Sequence, residues 1–227
     1  MTDKRVVIVG GHGKIALLAA PKLVAAGYRV ESLIRNADQS EEIRAAGAEP
    51  VVLDIETADV GALSGAFAGA EAIVFSAGAG GGNPDRTRAV DFEAAVRTIT
   101  AAEGVGVSRY VMVSYARASV DIENIDPESS FYTYAKAKHD ADVAVRESSL
   151  DYTILGPGRL TLEPATGSIT LADESGNVVE GGRSDDDKVT SRENVAEAIV
   201  HVLATKAAVK KTVNFYDGDT AIADAIV

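Results

Sequence analysis

The stretch Val6-Val7-Ile8-Val9-Gly10-Gly11-His12-Gly13-Lys14-Ile15-Ala16-Leu17-Leu18 decides the fold class. Four β-branched residues in a row read as a buried strand, and the residues after Gly13 read as the opening of a helix. Between them, Gly10 and Gly13 remove side chains that would obstruct a tight turn. Ala16 is the small residue needed where the helix packs closely on the strand. A strand, Gly-x-x-Gly-x-x-Ala and a helix in this order form a seat for a dinucleotide pyrophosphate on a helix N-terminus. His12, Lys14 and Ile15 belong to the same turn and are candidate contacts beside Gly10 and Gly13. The competing reading is an ordinary glycine-rich turn without a ligand.

The rest of the chain repeats this rhythm. Strands are expected at 28–34, 50–53, 72–75, 109–114 and 152–155, and helices at 41–46, 60–67, 85–103 and 131–149. Each strand is an apolar run without polar alternation, the pattern of a parallel sheet covered on both faces. The expectation is therefore a doubly wound α/β fold in a single domain spanning residues 1–227. After residue 158 the pattern breaks into short pieces: β-like segments at 168–171 and 178–179, the acidic run Asp185-Asp186-Asp187, a helix at 191–204 and a strand at 212–216. We expect residues 159–190 to form a small lobe on the substrate side.

With 227 residues the chain can bury one substantial core. Its 22 basic and 34 acidic residues leave a net charge of −12, which disfavours nucleic acid and anionic membranes as partners and favours a small-molecule ligand. There is no cysteine, so thiolate chemistry, disulfides and cysteine-ligated metals are excluded. The histidines, His12, His139 and His201, show no ligand spacing, and no metal is expected. No run approaches membrane-spanning length, and a cytoplasmic location is expected. No heptad or apolar stripe separates a monomer from a homodimer.

In such a fold the tip of the second strand meets the adenosine ribose, where an acid reads the 2′-hydroxyl of NAD and an arginine accommodates the 2′-phosphate of NADP. Here the tip is Leu33-Ile34-Arg35-Asn36. The forked guanidinium of Arg35 suits phosphate oxygens, Asn36 adds a neutral donor, and the nearest acid, Glu31, lies four residues back. NADP(H) is thus the expected cofactor, against a solvated surface arginine. After the third strand, Asp54 either accepts from the adenine amine while Ile55 covers the ring, or caps a turn.

The segment Tyr132-Thr133-Tyr134-Ala135-Lys136-Ala137-Lys138 holds two overlapping Tyr-x-x-x-Lys pairs, each on one helix face. A nearby ammonium stabilises a phenolate and lowers the pKa of a tyrosine, which makes the pair useful for proton transfer. The two pairs are about 200° apart around the helix, so only one can face a cofactor. Tyr134 and Lys138 share their side with Ala137, Ala141, Ala144 and Val145. Tyr132 and Lys136 share theirs with His139, Asp140, Arg146 and Glu147. Tyr134 and Lys138 are therefore the expected catalytic pair, with Ser114, at the end of the fifth strand, orienting a substrate carbonyl.

Taken in order, these residues resemble the short-chain dehydrogenase/reductase superfamily, in the atypical branch of NmrA-like and biliverdin-reductase-B or flavin-reductase-like proteins. The likeness also rests on Val90-Asp91-Phe92, Arg109-Tyr110-Val111, Leu150-Asp151-Tyr152-Thr153-Ile154, Pro157-Gly158 and Ser191-Arg192-Glu193-Asn194-Val195-Ala196. The resemblance implies a Rossmann fold that binds NADP(H), with Ala77 and Gly78 beside the nucleotide and Pro157 and Gly158 near the nicotinamide. It also implies Tyr134 over Tyr132, from the spacing of Lys138 to Leu150. One departure stands out: where the family often has an arginine before Pro-Gly, this chain has Gly156.

The expected function is an NADP(H)-dependent oxidoreductase acting on a small carbonyl, quinone or flavin-like acceptor, with Tyr134 as proton donor. A non-catalytic NADP sensor fits the nucleotide residues equally well. A sugar-nucleotide epimerase or dehydratase is disfavoured because residues 159–227 leave limited room for a large substrate domain.

Overall fold

The computed structural model of the chain describes residues 4–80, 83–178 and 187–227. Its centre is a nine-stranded sheet built outward from β1 (Arg5–Val9), which is buried along its whole length. β1 lies between two parallel partners, β2 (Arg29–Ile34) and β4 (Ala72–Phe75), with Val9 opposite Leu33 on one side and Phe75 on the other. β3 (Glu49–Val52) continues beyond β2, and β5 (Arg109–Val113), β6 (Asp151–Pro157) and β10 (Lys211–Asp217) continue in parallel beyond β4. The strand order 3-2-1-4-5-6 reverses direction between β1 and β4, and a crevice opens there at the carboxyl ends of the strands. This is the expected doubly wound fold.

Alternation along β1 feeds two cores. Val6 and Ile8 pack with Ala16 and Leu23 of α1 (Lys14–Ala25) and with Ile199 and Val202 of α8 (Arg192–Thr205). Val7 and Val9 face the opposite layer, which includes Phe67 of α3 (Val60–Phe67), Ile99 of α5 (Ala95–Gly104) and Val145 of α7 (Tyr132–Glu147). Each fully buried side chain of this size contributes roughly 1.5–3 kcal/mol, which anchors both helical layers to the same sheet. Ala16 has no exposed surface, as expected of the residue where helix meets strand.

Two features depart from the sequence reading. The expected helix at 85–103 is three pieces: α4 (Pro84–Thr87), a π-helical turn over Arg88–Ala94, and α5. A π turn inserts an extra residue into the helical ladder and often marks a functional site. Here it carries Asp91, only 2% exposed. The second departure concerns the segment after Gly158. β8 (Ser168–Ala172) pairs antiparallel with β10, and β11 (Thr220–Ala221) pairs with β8, so both extend the main sheet. A separate two-stranded ribbon is formed by β7 (Arg159–Thr161) and β9 (Val189–Ser191). Val178 bridges Ala172, whereas Val179, Asp185 and Asp186 lie outside the described residues. No helix among the described residues is long and apolar enough to cross a membrane.

Candidate active site

The turn after β1 is held by contacts that only glycine permits. Gly10 has φ +82°, and a Cβ there would lie 2.5 Å from the Cα of Ala77, just beyond β4. A Cβ on Gly11 would lie 2.4 Å from that of Ser32 on β2. Gly13 is different: it faces solvent and is the N-cap of α1. No side chain caps this helix and no acid occupies its first turn, so its first N–H groups are open to the crevice.

Around this opening lies a cleft of about 730 Å³ lined by Gly10, His12, Gly13, Lys14, Ile15 and, across the β1–β4 gap, Ala77 and Gly78. Arg35, Asp54 and Ile55 line its far end. Lys14 and Arg35 are exposed and form no ion pair among the described residues. His12 sits between Glu42 (Nε2 to Oε2, 2.7 Å) and Gln39 (Nδ1 to Nε2, 3.0 Å). Asp54 Oδ1 accepts the N–H of Glu56, so it stabilises a turn as well as lining the cleft. Asn36 does not line it. Its Oδ1 accepts the N–H of Asp38 and caps a short 3₁₀ turn.

At the other end Tyr134, Lys138 and Ser114 line the same cleft. The structure separates the overlapping pairs on α7: Lys136 is exposed and bound to Asp140, whereas Lys138 is 3% exposed and its Nζ donates to the carbonyl oxygen of Val113 at 2.8 Å. Ser114 Oγ donates to Asp142 Oδ2 at 2.7 Å. Asp142 is 2% exposed; burial pushes its carboxyl up to about 6, although Lys138, Ser114, Arg146 and His139 pull it back. The phenol of Tyr134 is pushed above its ordinary range by burial and then by the negative fields of Asp91 and Asp142. The sequence reading had Lys138 lower that phenol, but the net displacement is upward and the ammonium is bound to a main-chain oxygen.

In the loop after β6, neither Pro157 nor Gly158 lines the cleft. Pro157 is buried at the end of β6, and a Cβ on Gly158 would meet the Lys188 oxygen and Tyr216 Cδ1, each at 2.5 Å. Leu160 and Arg192 reach the cleft instead. Gly156, where the family often has arginine, is closed by Asn214, whose Oδ1 would stand 2.1 Å from a Cβ.

This geometry agrees with comparison to known proteins. The pattern of the NAD(P)H-binding family matches residues 10–206. The chain belongs to the NAD(P)H-binding family. It is 32% identical to the uncharacterized sugar epimerase YhfK of Bacillus subtilis, over 98% of both chains. A candidate NAD-dependent epimerase/dehydratase of Bacillus halodurans shares 33% identity over 97% of both chains, with a TM-score of 0.84. The oxidoreductase ylbE of Lactococcus lactis shares 26% identity over 97% of this chain and 94% of its own, with a TM-score of 0.81.

The residues of this NAD(P)H-binding protein fit a nicotinamide dinucleotide. An uncapped helix N-terminus lines the cleft together with Lys14 and Arg35, two cations without an ion pair among the described residues, a set suited to a ligand that carries phosphates. Several site residues escaped sequence reasoning. Asp91 accepts the N–H of Ala79 at 2.9 Å and so holds the loop after β4. Arg86 braces that loop too, donating to the Ala79 oxygen at 2.8 Å and pairing with Glu56 at 3.1 Å. Asp142 did leave a signal, since an acid four residues after Lys138 falls on the helix side read as apolar.

Proposed function

We propose that this protein is an NADP(H)-dependent oxidoreductase that reduces a small carbonyl, quinone or flavin-like acceptor, with Tyr134 as the proton donor. The observation that carries this reading is that Tyr134, Lys138 and Ser114 line the same cleft as the open N-terminus of α1 and Arg35. When bound, the cofactor supplies a hydride. The protein's part is to hold, orient and protonate. Gly10, Gly13 and the first turn of α1 seat the pyrophosphate, Arg35 takes the 2′-phosphate, and Asp54 with Ile55 meets the adenine. Lys138 holds the ribose from its buried station near Val113.

Tyr134 then delivers its proton to the acceptor oxygen that gains negative charge. Burial and the carboxylates of Asp91 and Asp142 keep its phenol protonated, so the proton is in place to be given. Ser114, whose hydroxyl donates its hydrogen bond to Asp142, presents lone pairs to a donor group of the ligand.

The relatives bear names of two kinds, epimerase and oxidoreductase. An epimerase returns its hydride and leaves no net change in NADPH, whereas a reductase consumes NADPH in step with its acceptor. Following NADPH absorbance with a panel of aldehydes, quinones and flavins separates them, and tight NADPH binding without turnover of any acceptor would instead favour a sensor.

A further inference from the structure

Arg192 opens α8 and stands half-buried in the cleft wall. Its Nη1 donates to the carbonyl oxygens of Leu160 (3.2 Å) and Thr161 (2.8 Å), which fixes the guanidinium against β7. Its other nitrogens make no hydrogen bond among the described residues, and no described carboxylate lies within ion-pair distance. A partly buried cation is costly unless something compensates it. In a chain of net charge −12, acidic residues are abundant, and among the described residues none pairs with Arg192.

The other cations of the wall are accounted for. Lys14 and Arg35 stand at the nucleotide end, Arg86 pairs with Glu56, and Lys138 is bound to the Val113 oxygen. Arg192 is tethered to the segment that follows β6. That strand lies four positions across the sheet from β2, whose last residue, Ile34, precedes Arg35. At ~4.8 Å per strand this is about 19 Å, too far for one phosphate to serve both arginines. The tether is instead beside the catalytic residues: the N–H of Ser114 donates to Leu155 on β6 at 2.8 Å.

We infer that Arg192 binds an anionic group of the substrate, so that the acceptor is a carbonyl compound bearing a carboxylate or a phosphate. With Nη1 given to the two carbonyl oxygens, one guanidinium edge, Nε and Nη2, remains for a forked contact with either group, the geometry in which arginine outperforms lysine. The inference rests on the oxidoreductase reading for its word "acceptor", but the anion site itself does not depend on turnover. The same chemistry has a second source, the pyrophosphate of the cofactor, and the experiment must separate the two.

The test is an equilibrium titration of the wild type, Arg192→Gln and Arg192→Lys, free and saturated with NADP⁺, with oxamate and with inorganic phosphate. The expected result is that at least one anion binds the NADP⁺-saturated wild type at millimolar concentration. Arg192→Gln should weaken it by roughly tenfold or more, and Arg192→Lys by less. NADP⁺ affinity should change less than about twofold, and thermal melts establish that each variant is folded. The proposal is overturned if neither anion binds the NADP⁺-saturated wild type, if Arg192→Gln binds it as well as the wild type does, or if NADP⁺ affinity falls roughly tenfold while anion binding persists, which would assign Arg192 to the cofactor. Failure of the wild type to bind NADP⁺ would sink the oxidoreductase reading, and titration of the free protein would still decide the anion site.

Discussion

Ser114 Oγ donates a 2.7 Å hydrogen bond to Asp142 Oδ2, and both side chains are almost fully buried. The second carboxylate oxygen, Oδ1, has no hydrogen-bond partner in the described structure. A carboxylate in this setting is held below the floor of the active site at a cost to the fold. Its pKa, about 6 against an ordinary 3.8, expresses that cost.

The sign follows from proton binding. Between pH 4 and 6 the folded state holds more protons on Asp142 than the unfolded state does, so stability falls as pH rises through this window and stays lowered above it. A displacement of this size corresponds to ~3 kcal/mol. Asp142→Asn removes the titration while keeping the shape. Melting curves from pH 4 to 7 should show the variant gaining on the wild type as pH rises; a difference that does not change with pH would contradict the buried-carboxylate account.

Gly10 and Gly13 should separate in mutation. Gly10→Ala combines a left-handed backbone with a Cβ 2.5 Å from Ala77 Cα, and we expect a loss of roughly 2–4 kcal/mol by denaturant unfolding. Gly13 has φ −68° and an exposed position, and its nearest contact is 3.1 Å, to the Gly10 oxygen. Gly13→Ala should therefore cost less than about 1 kcal/mol of stability while lowering NADPH affinity, because the new methyl stands where the helix N-terminus meets its ligand.

On the proposed reading, Arg35 governs nucleotide choice. Replacing it with Ala removes a charge-assisted contact worth roughly 1.5–3 kcal/mol to a phosphate and nothing to a ribose hydroxyl. NADPH affinity should drop roughly 10- to 100-fold while NADH affinity changes little, as measured by fluorescence titration. Equal losses for both nucleotides would show that Arg35 does not read the 2′-phosphate.

Asn214 explains the departure at Gly156. Asn214 Nδ2 donates to the Asp173 oxygen at 3.1 Å, and this pose brings Oδ1 into the space a Cβ on residue 156 would need. Gly156→Ala should cost about 1–3 kcal/mol in the wild type and markedly less on top of Asn214→Ala. Additive costs in the double-mutant cycle would mean that the two positions do not compete for space.

The sheet was legible because parallel strands buried on both faces leave unbroken apolar runs, as at Val6–Val9, Ala72–Phe75 and Tyr110–Val113, and because the first glycine turn demands its helix. The π turn at Arg88–Ala94 was not, since it follows an ordinary helical sequence with neither Gly nor Pro between 85 and 103 and is fixed by the tertiary contact of Asp91 with Ala79. The buried side of α7 was legible from its alanines, and Lys138 lies on it. Motif membership did not reveal side-chain direction: Asn36 turns to cap its own loop, and Gly158 is closed in by Lys188 and Tyr216. Arg192 reaches the cleft through tertiary folding that brings α8 against β7, a contact between residues 31 or more positions apart that no local pattern encodes.

The central claim is that Tyr134 donates the proton in an NADPH-dependent reduction, and single-turnover kinetics of Tyr134→Phe test it most directly. With an acceptor that the wild type reduces, loss of the phenolic proton should slow NADPH oxidation roughly 100- to 10,000-fold, while NADPH affinity stays within about twofold. Unchanged turnover in Tyr134→Phe would contradict the assignment of the donor, and a wild type that binds NADPH tightly yet oxidises it with no acceptor would contradict the enzyme reading itself.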